Sequence, residues 1–167
     1  VTKAEDLKGM KIRVQGSPIA LDTLKAMGAN SVAMGVSEVF SGMQTGVIDG
    51  TENNPPTFVA HNYLPVVKNY TWRKHFIIPE LFLFSKAKWD KLKKEDQELI
   101  LKLAKEAQAE QRELWKTYNE KSLEAMKAGG VQFHDIDTAP FYQATQSVRD
   151  KYGKDHQDLI NRIQEVK

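Results

Sequence analysis

The sequence predicts an α/β fold with parallel strands, and three observations predict it. Residues 11–15 (KIRVQ) alternate polar and apolar, which places Ile12 and Val14 on one face of a short strand. Gly16-Ser17-Pro18 then turns the chain into a segment with Leu21, Leu24 and Met27 at helical spacing; Gly28 stops it, and residues 31–35 return as strand. Strand, helix, strand at this spacing marks a βαβ unit, whose strands run parallel. Residues 35–58 (GVSEVFSGMQTGVIDGTENNPPTF) add a further helix and strand in the same sense.

Each element has a local reason. Thr2 and Glu5 stand at capping-box spacing and open a short helix that Gly9 stops. Ser37 reads as an N-cap, and Gly46 as the stop of the helix it begins. Val47, Ile48 and Thr51 suit a short strand, after which Asn53 and Asn54 precede a loop stiffened by Pro55 and Pro56. Proline pushes the residue before it out of the helical region, so Asn54 is expected to be extended. Two amides at the end of a strand lie where open α/β sheets place their ligands. Residues 57–67 read as a helix or helical loop broken by Pro65.

Residues 76–84 (FIIPELFLF) are apolar at nearly every position, the pattern of a strand covered on both faces, with Pro79 at a bulge, edge or crossing point. The short strands elsewhere leave it few neighbours. Residues 87–128 contain neither glycine nor proline, and Ile100, Ala104, Ala107, Trp115, Tyr118 and Ala125 fit one helical stripe. Glu110, Thr117 and Lys121 interrupt any heptad seam, so this is an amphipathic helix, or two, and not a coiled coil. A continuous helix here is roughly 50 Å long, more than the width of a domain of this size. Gly129-Gly130 ends it, residues 131–136 form a last strand, and the chain is helical again from Pro140.

The totals exclude several functions. The 24 basic and 22 acidic residues leave a net charge of +2, too little to point to nucleic acid or an anionic membrane. The absence of cysteine removes disulfide frameworks, thiol catalysis and thiolate metal sites. His61, His75, His134 and His156 lack metal-ligand spacing and read as surface or hydrogen-bonded histidines. Ser37 within GVSEV lacks the closing glycine of a nucleophile elbow. No phosphate loop or catalytic set stands out, and no cofactor is implied. Residues 1–14 do not read as a signal peptide and look instead like the middle of a longer chain.

Arg13 lies in a β-type run, with Ile12 and Val14 facing the opposite way. It is either a surface arginine on an edge strand or a carboxylate anchor, since a planar guanidinium makes two parallel hydrogen bonds to a carboxylate. Asn53, at the matching end of a neighbouring strand, either caps backbone or donates to the same group.

The runs DLKGMKIRV, AMGAN and SEVFSGMQTGVIDGTEN, together with PELFLFSK and the long helix, resemble the solute-binding subunit of TRAP (tripartite ATP-independent periplasmic) transporters, the DctP type. The run 37–53 is the specific one. The resemblance implies a periplasmic-binding-protein-like (type II-like) two-lobed fold that closes on its ligand, here its C-terminal part, with one α/β lobe and a long inter-lobe helix. It divides the chain into a ligand-binding lobe (1–75), a crossing strand and long helix (76–128), and a returning strand with C-terminal helices (129–167). It implies a periplasmic location, TRAP membrane subunits as partners, a missing N-terminal lobe of the same protein, and no enzymatic activity. By similarity Arg13 matches the carboxylate-binding arginine, Asn53 an asparagine at the same end of the ligand, and Glu80 a polar contact near the lobe crossing. Gln15 and Asn54 complete the expected ligand-binding set with Val36, which stands where relatives often carry an aromatic ring. Glu80 and the asparagine pair favour hydroxyls, so the expected ligand is a small organic acid of the sugar-acid kind, a hexuronate or aldonate, over a plain dicarboxylate. The alternatives are the effector-binding domain of a transcription regulator, which needs a DNA-binding head upstream, and a solute-binding protein outside the TRAP class.

Overall fold

The computed structural model describes residues 1–166. Strands β1 (Lys11–Val14), β2 (Asn30–Ala33) and β3 (Gly50–Thr51) form a three-stranded parallel sheet with β1 in the middle. Behind it, Ile12 and Val14 pack with Ala20 and Leu24 of α1 (Pro18–Ala26), with Leu7, and with Phe141 from the far end of the chain. Burying side chains of this size contributes roughly 1.5–3 kcal/mol each. Helix α1 begins where the sequence predicts. Ser17 Oγ accepts from the Ala20 N–H at 3.5 Å, Pro18 occupies the first turn, and Gly28 leaves the helix at φ +96°.

Two caps differ from expectation. The first turn, a 3₁₀ segment at Ala4–Leu7, is tied by Asp6 and not Glu5: its carboxylate accepts from the Thr2 N–H at 2.7 Å and the Lys3 N–H at 3.1 Å. Ser37 is not an N-cap. It lies inside a 3₁₀ turn, Val36–Glu38, that leads into α2 (Val39–Gln44), and Glu38 is the residue that closes back, accepting from the Gly35 N–H at 3.1 Å. A carboxylate reaches further than a hydroxyl and binds a backbone donor more strongly, so it takes that position.

Pro55 and Pro56 do not stiffen a loop; they start α3 (Pro55–Ala60). The first helical N–H groups have no partner within the helix, so prolines cost nothing there. Asn54 is extended as expected, at φ −83° and ψ 159°, and caps the helix by accepting from the Thr57 N–H at 3.0 Å.

The second sheet has two parallel strands, β4 (Asn69–Trp72) and β5 (Gln132–Asp135). Strand β5 is the one predicted. Strand β4 is not legible as a run of core residues, although Tyr70, Thr71 and Trp72 are strand formers. The predicted strand at 76–84 is absent: residues 73–85 have no regular structure, with Ile77 97% exposed and Phe82 and Leu83 each 81% exposed. An apolar run becomes a strand only where neighbours accept from its N–H groups and donate to its C=O groups, and none among the described residues does.

After α4 (Lys86–Trp89) comes α5 (Lys94–Ala128), the predicted long helix, 35 residues and roughly 52 Å at about 1.5 Å per residue. Only its C-terminal end is buried. Ser122 and Met126 are covered, and Met126 joins Val39, Ile48, Phe58, Tyr63 and Val131 in a second core. The stripe N-terminal to them stays open to solvent, Trp115 and Tyr118 being 42% and 40% exposed. The chain ends in α6 (Ala139–Ala144), α7 (Gln146–Gly153) and α8 (Gln157–Glu165). Helix α7 returns to α1 through Lys151 and Tyr152, which both donate to Asp22, at 2.7 and 2.8 Å.

Candidate functional site

The loops after β1, β2 and β3 leave the same end of the parallel sheet, the position at which α/β sheets bind ligands. Arg13 stands on the middle strand, beside Val32 on one neighbour and Thr51 on the other, and Asn53 follows two residues beyond Thr51. Arg13 is not a surface arginine: it is 6% exposed. Its Nε donates to the Met34 carbonyl at 2.9 Å, and among the described residues neither an ion pair nor a second hydrogen bond holds its side chain. No fully buried side-chain nitrogen or oxygen is left without a partner among the described residues, so the two Nη groups reach solvent-accessible space. Burying a guanidinium without a counter-charge is costly. Held by one backbone carbonyl, this one presents its paired donors as a fork suited to a carboxylate.

Asn53 is half-buried. Its Oδ1 accepts from the Asn54 N–H at 2.9 Å and its own carbonyl accepts from the Tyr70 hydroxyl at 2.8 Å, so its Nδ2 is the group without a partner among the described residues. Burial, reinforced by the Glu52 charge, pushes the Tyr70 hydroxyl up to about 12, which keeps it a donor. Asn54 is exposed, and its Oδ1 is already used on Thr57. Gln15 is exposed at the end of β1. Val36 is 42% exposed, and its carbonyl accepts from the Tyr63 hydroxyl at 3.3 Å. Glu80 is exposed, in the irregular stretch 73–85, and makes no hydrogen bond among the described residues.

A polar group beside Asn53 escaped the sequence reading. His75 Nε2 lies 3.6 Å from a Glu52 carboxylate oxygen and 3.3 Å from Arg73 Nη2, while Arg73 Nη1 touches Met27 Sδ at 3.1 Å. Burial lowers Arg73 to about 10, still cationic at neutral pH. A guanidinium only donates, so the nearer partner requires a bare Nε2. Burial accordingly pushes His75 below its ordinary 6.5, with Glu52 opposing and the Arg73 charge assisting. Residues so far apart in sequence give no spacing signal, and only the adjacency of Glu52 to Asn53 pointed here.

The sign of the His75 shift gives a stability prediction. As pH falls through the ordinary imidazole value, the unfolded chain takes up a proton that the folded chain does not, so stability is lost on acidification. The unfolding midpoint of the wild type is expected to fall more steeply between pH 7 and 5 than that of His75→Gln. Equal slopes would exclude a neutral folded-state His75.

Residues 1–155 match the bacterial extracellular solute-binding proteins of family 7, DctP. The chain belongs to this family. The resemblance carried by residues 37–53 is thereby borne out. Among solved structures, a TRAP periplasmic solute-binding protein from Citrobacter koseri with bound D-glucuronate is 69% identical, at a TM-score of 0.95 over 100% of this chain and 56% of that one. Its counterpart from Pseudomonas putida F1, also with bound D-glucuronate, is 52% identical, at a TM-score of 0.96 over 100% of this chain and 55% of that one. The 2,3-diketo-L-gulonate-binding periplasmic protein of Escherichia coli K12 is 34% identical over 96% of this chain and 51% of its own length. The chain spans about half the length of the curated relatives it matches.

Proposed function

We propose that this family 7 chain is the ligand-gripping part of a two-lobed periplasmic solute-binding protein, which closes on a hexuronate-like sugar acid and delivers it to TRAP membrane subunits. The observation that carries the reading is Arg13, almost fully buried and tied to a backbone carbonyl, with its fork unpaired among the described residues. In this reading the fork grips the carboxylate and Asn53 Nδ2 orients that end of the ligand. Gln15, Glu80 and the Nδ2 of Asn54 serve its hydroxyls, and Val36 leaves room that an aromatic ring would fill. The open apolar stretch 76–84 and the open stripe of α5 meet the rest of the full-length protein, in keeping with a division at residues 1–75, 76–128 and 129–167. The D-glucuronate held by the two solved relatives supports the choice of ligand class.

Calorimetry of the full-length protein against D-glucuronate, D-galacturonate, D-gluconate and succinate tests the proposal. A site with hydrogen-bonding groups placed for hydroxyls discriminates strongly against a ligand that lacks them, so at least one sugar acid is expected to bind about 100-fold more tightly than succinate. Succinate binding as tightly as the best sugar acid would overturn the ligand class.

A further inference from the structure

We infer that Glu38 is a positioning residue for the Arg13 grip, acting through the Met34–Gly35 peptide; the inference rests on the anion-binding reading of Arg13 given above. The carbonyl that accepts from Arg13 Nε at 2.9 Å and the N–H that donates to Glu38 Oε2 at 3.1 Å belong to one planar peptide group. That peptide therefore cannot rotate without losing both bonds. A carboxylate on its N–H polarises its C=O, which strengthens the acceptor facing the arginine. The same turn is pinned on either side: the Met34 N–H donates to the Val14 carbonyl at 3.2 Å, and the Tyr63 hydroxyl donates to the Val36 carbonyl at 3.3 Å. With Nε fixed, the plane of the guanidinium is fixed, and the Nη edge is the part left for a ligand.

Gly35 adds a second handle. Its backbone, at φ −60° and ψ 146°, is open to any residue, yet a Cβ there would lie 2.9 Å from Glu38 Oε2. Gly35→Ala therefore moves the carboxylate, the flexible partner, and leaves the backbone free to stay.

Nitrogen-15 NMR of the Arg13 Nε–H in the full-length protein, identified by its loss in Arg13→Lys, tests the inference without any ligand. Glu38→Ala and Gly35→Ala are each expected to speed its solvent exchange by about tenfold, the scale of losing a charge-assisted hydrogen bond at an exposed turn. Glu38→Gln keeps an oxygen acceptor for the Gly35 N–H and is expected to stay within about threefold of the wild type. In calorimetry with D-glucuronate, Glu38→Ala is expected to weaken binding about tenfold, but less than about twofold in an Arg13→Lys background, which has no Nε–H. A merely structural role weakens both backgrounds equally. Unchanged Nε–H exchange in Glu38→Ala, or the full loss of affinity in the Arg13→Lys background, overturns the inference. Arg13→Lys binding as well as the wild type would instead overturn the anion-binding reading, with the exchange result still deciding whether Glu38 holds Arg13.

Discussion

Arg13→Ala in the full-length protein is expected to lower the affinity for D-glucuronate by two orders of magnitude or more while leaving the unfolding midpoint nearly unchanged. Removing one partner of a desolvated charge pair costs roughly 3–5 kcal/mol, and about 1.4 kcal/mol is a decade of affinity. Stability is expected to hold because Arg13 forms no internal ion pair among the described residues; its single bond runs to the Met34 carbonyl. Truncation removes the cost of burying a guanidinium along with that one bond. Arg13→Lys should also bind clearly more weakly, since an ammonium cannot reproduce the two parallel donors. Calorimetry reporting less than a tenfold loss for Arg13→Ala would remove this residue from the site.

Leu24→Ala is expected to do the reverse. Leu24 is fully buried in the cluster that holds α1 against Ile12 and Val14. Truncating a leucine at such a site costs about 2–5 kcal/mol, a large share of the roughly 5–15 kcal/mol that keeps an ordinary domain folded. The folded fraction of the variant should still bind D-glucuronate within about threefold of the wild type, because Leu24 lies behind the sheet and the Arg13 fork is held by the β2–α2 turn. Denaturant unfolding that shifts by less than about 1 kcal/mol would mean that this core relaxes around the cavity. The two substitutions together separate the grip from its support: one loses ligand and keeps the fold, the other loses stability and keeps the grip.

Much of the architecture was legible because it is encoded locally. Alternation in KIRVQ, Ser17-Pro18 before α1 and the glycines at 28, 46 and 130, all with positive φ, mark elements the structure contains. The uninterrupted stretch that became α5 is local in the same sense. What failed depends on partners. Residues 76–84 have strand composition but no neighbour to pair with among the described residues, so they form no strand here. Strand β4 is brief and half-polar, and it exists because β5, some sixty residues on, pairs with it.

The site divides in the same way. Arg13 and Asn53 were legible as strand-end residues, and the first is buried with no ion pair among the described residues. Ser37 drew attention as a cap, whereas Glu38 beside it makes the bond that reaches the arginine's own acceptor. The Glu52–His75–Arg73 group assembles across more than twenty residues, and no spacing announces it.

The central claim is that Arg13 holds the carboxylate of a sugar acid, and a crystal structure of the full-length protein with D-glucuronate tests it most directly. Both carboxylate oxygens are expected at about 2.7–2.9 Å from the Arg13 Nη atoms, with Nε still on the Met34 carbonyl. A carboxylate bound elsewhere, with Arg13 turned to a protein acid, would contradict it.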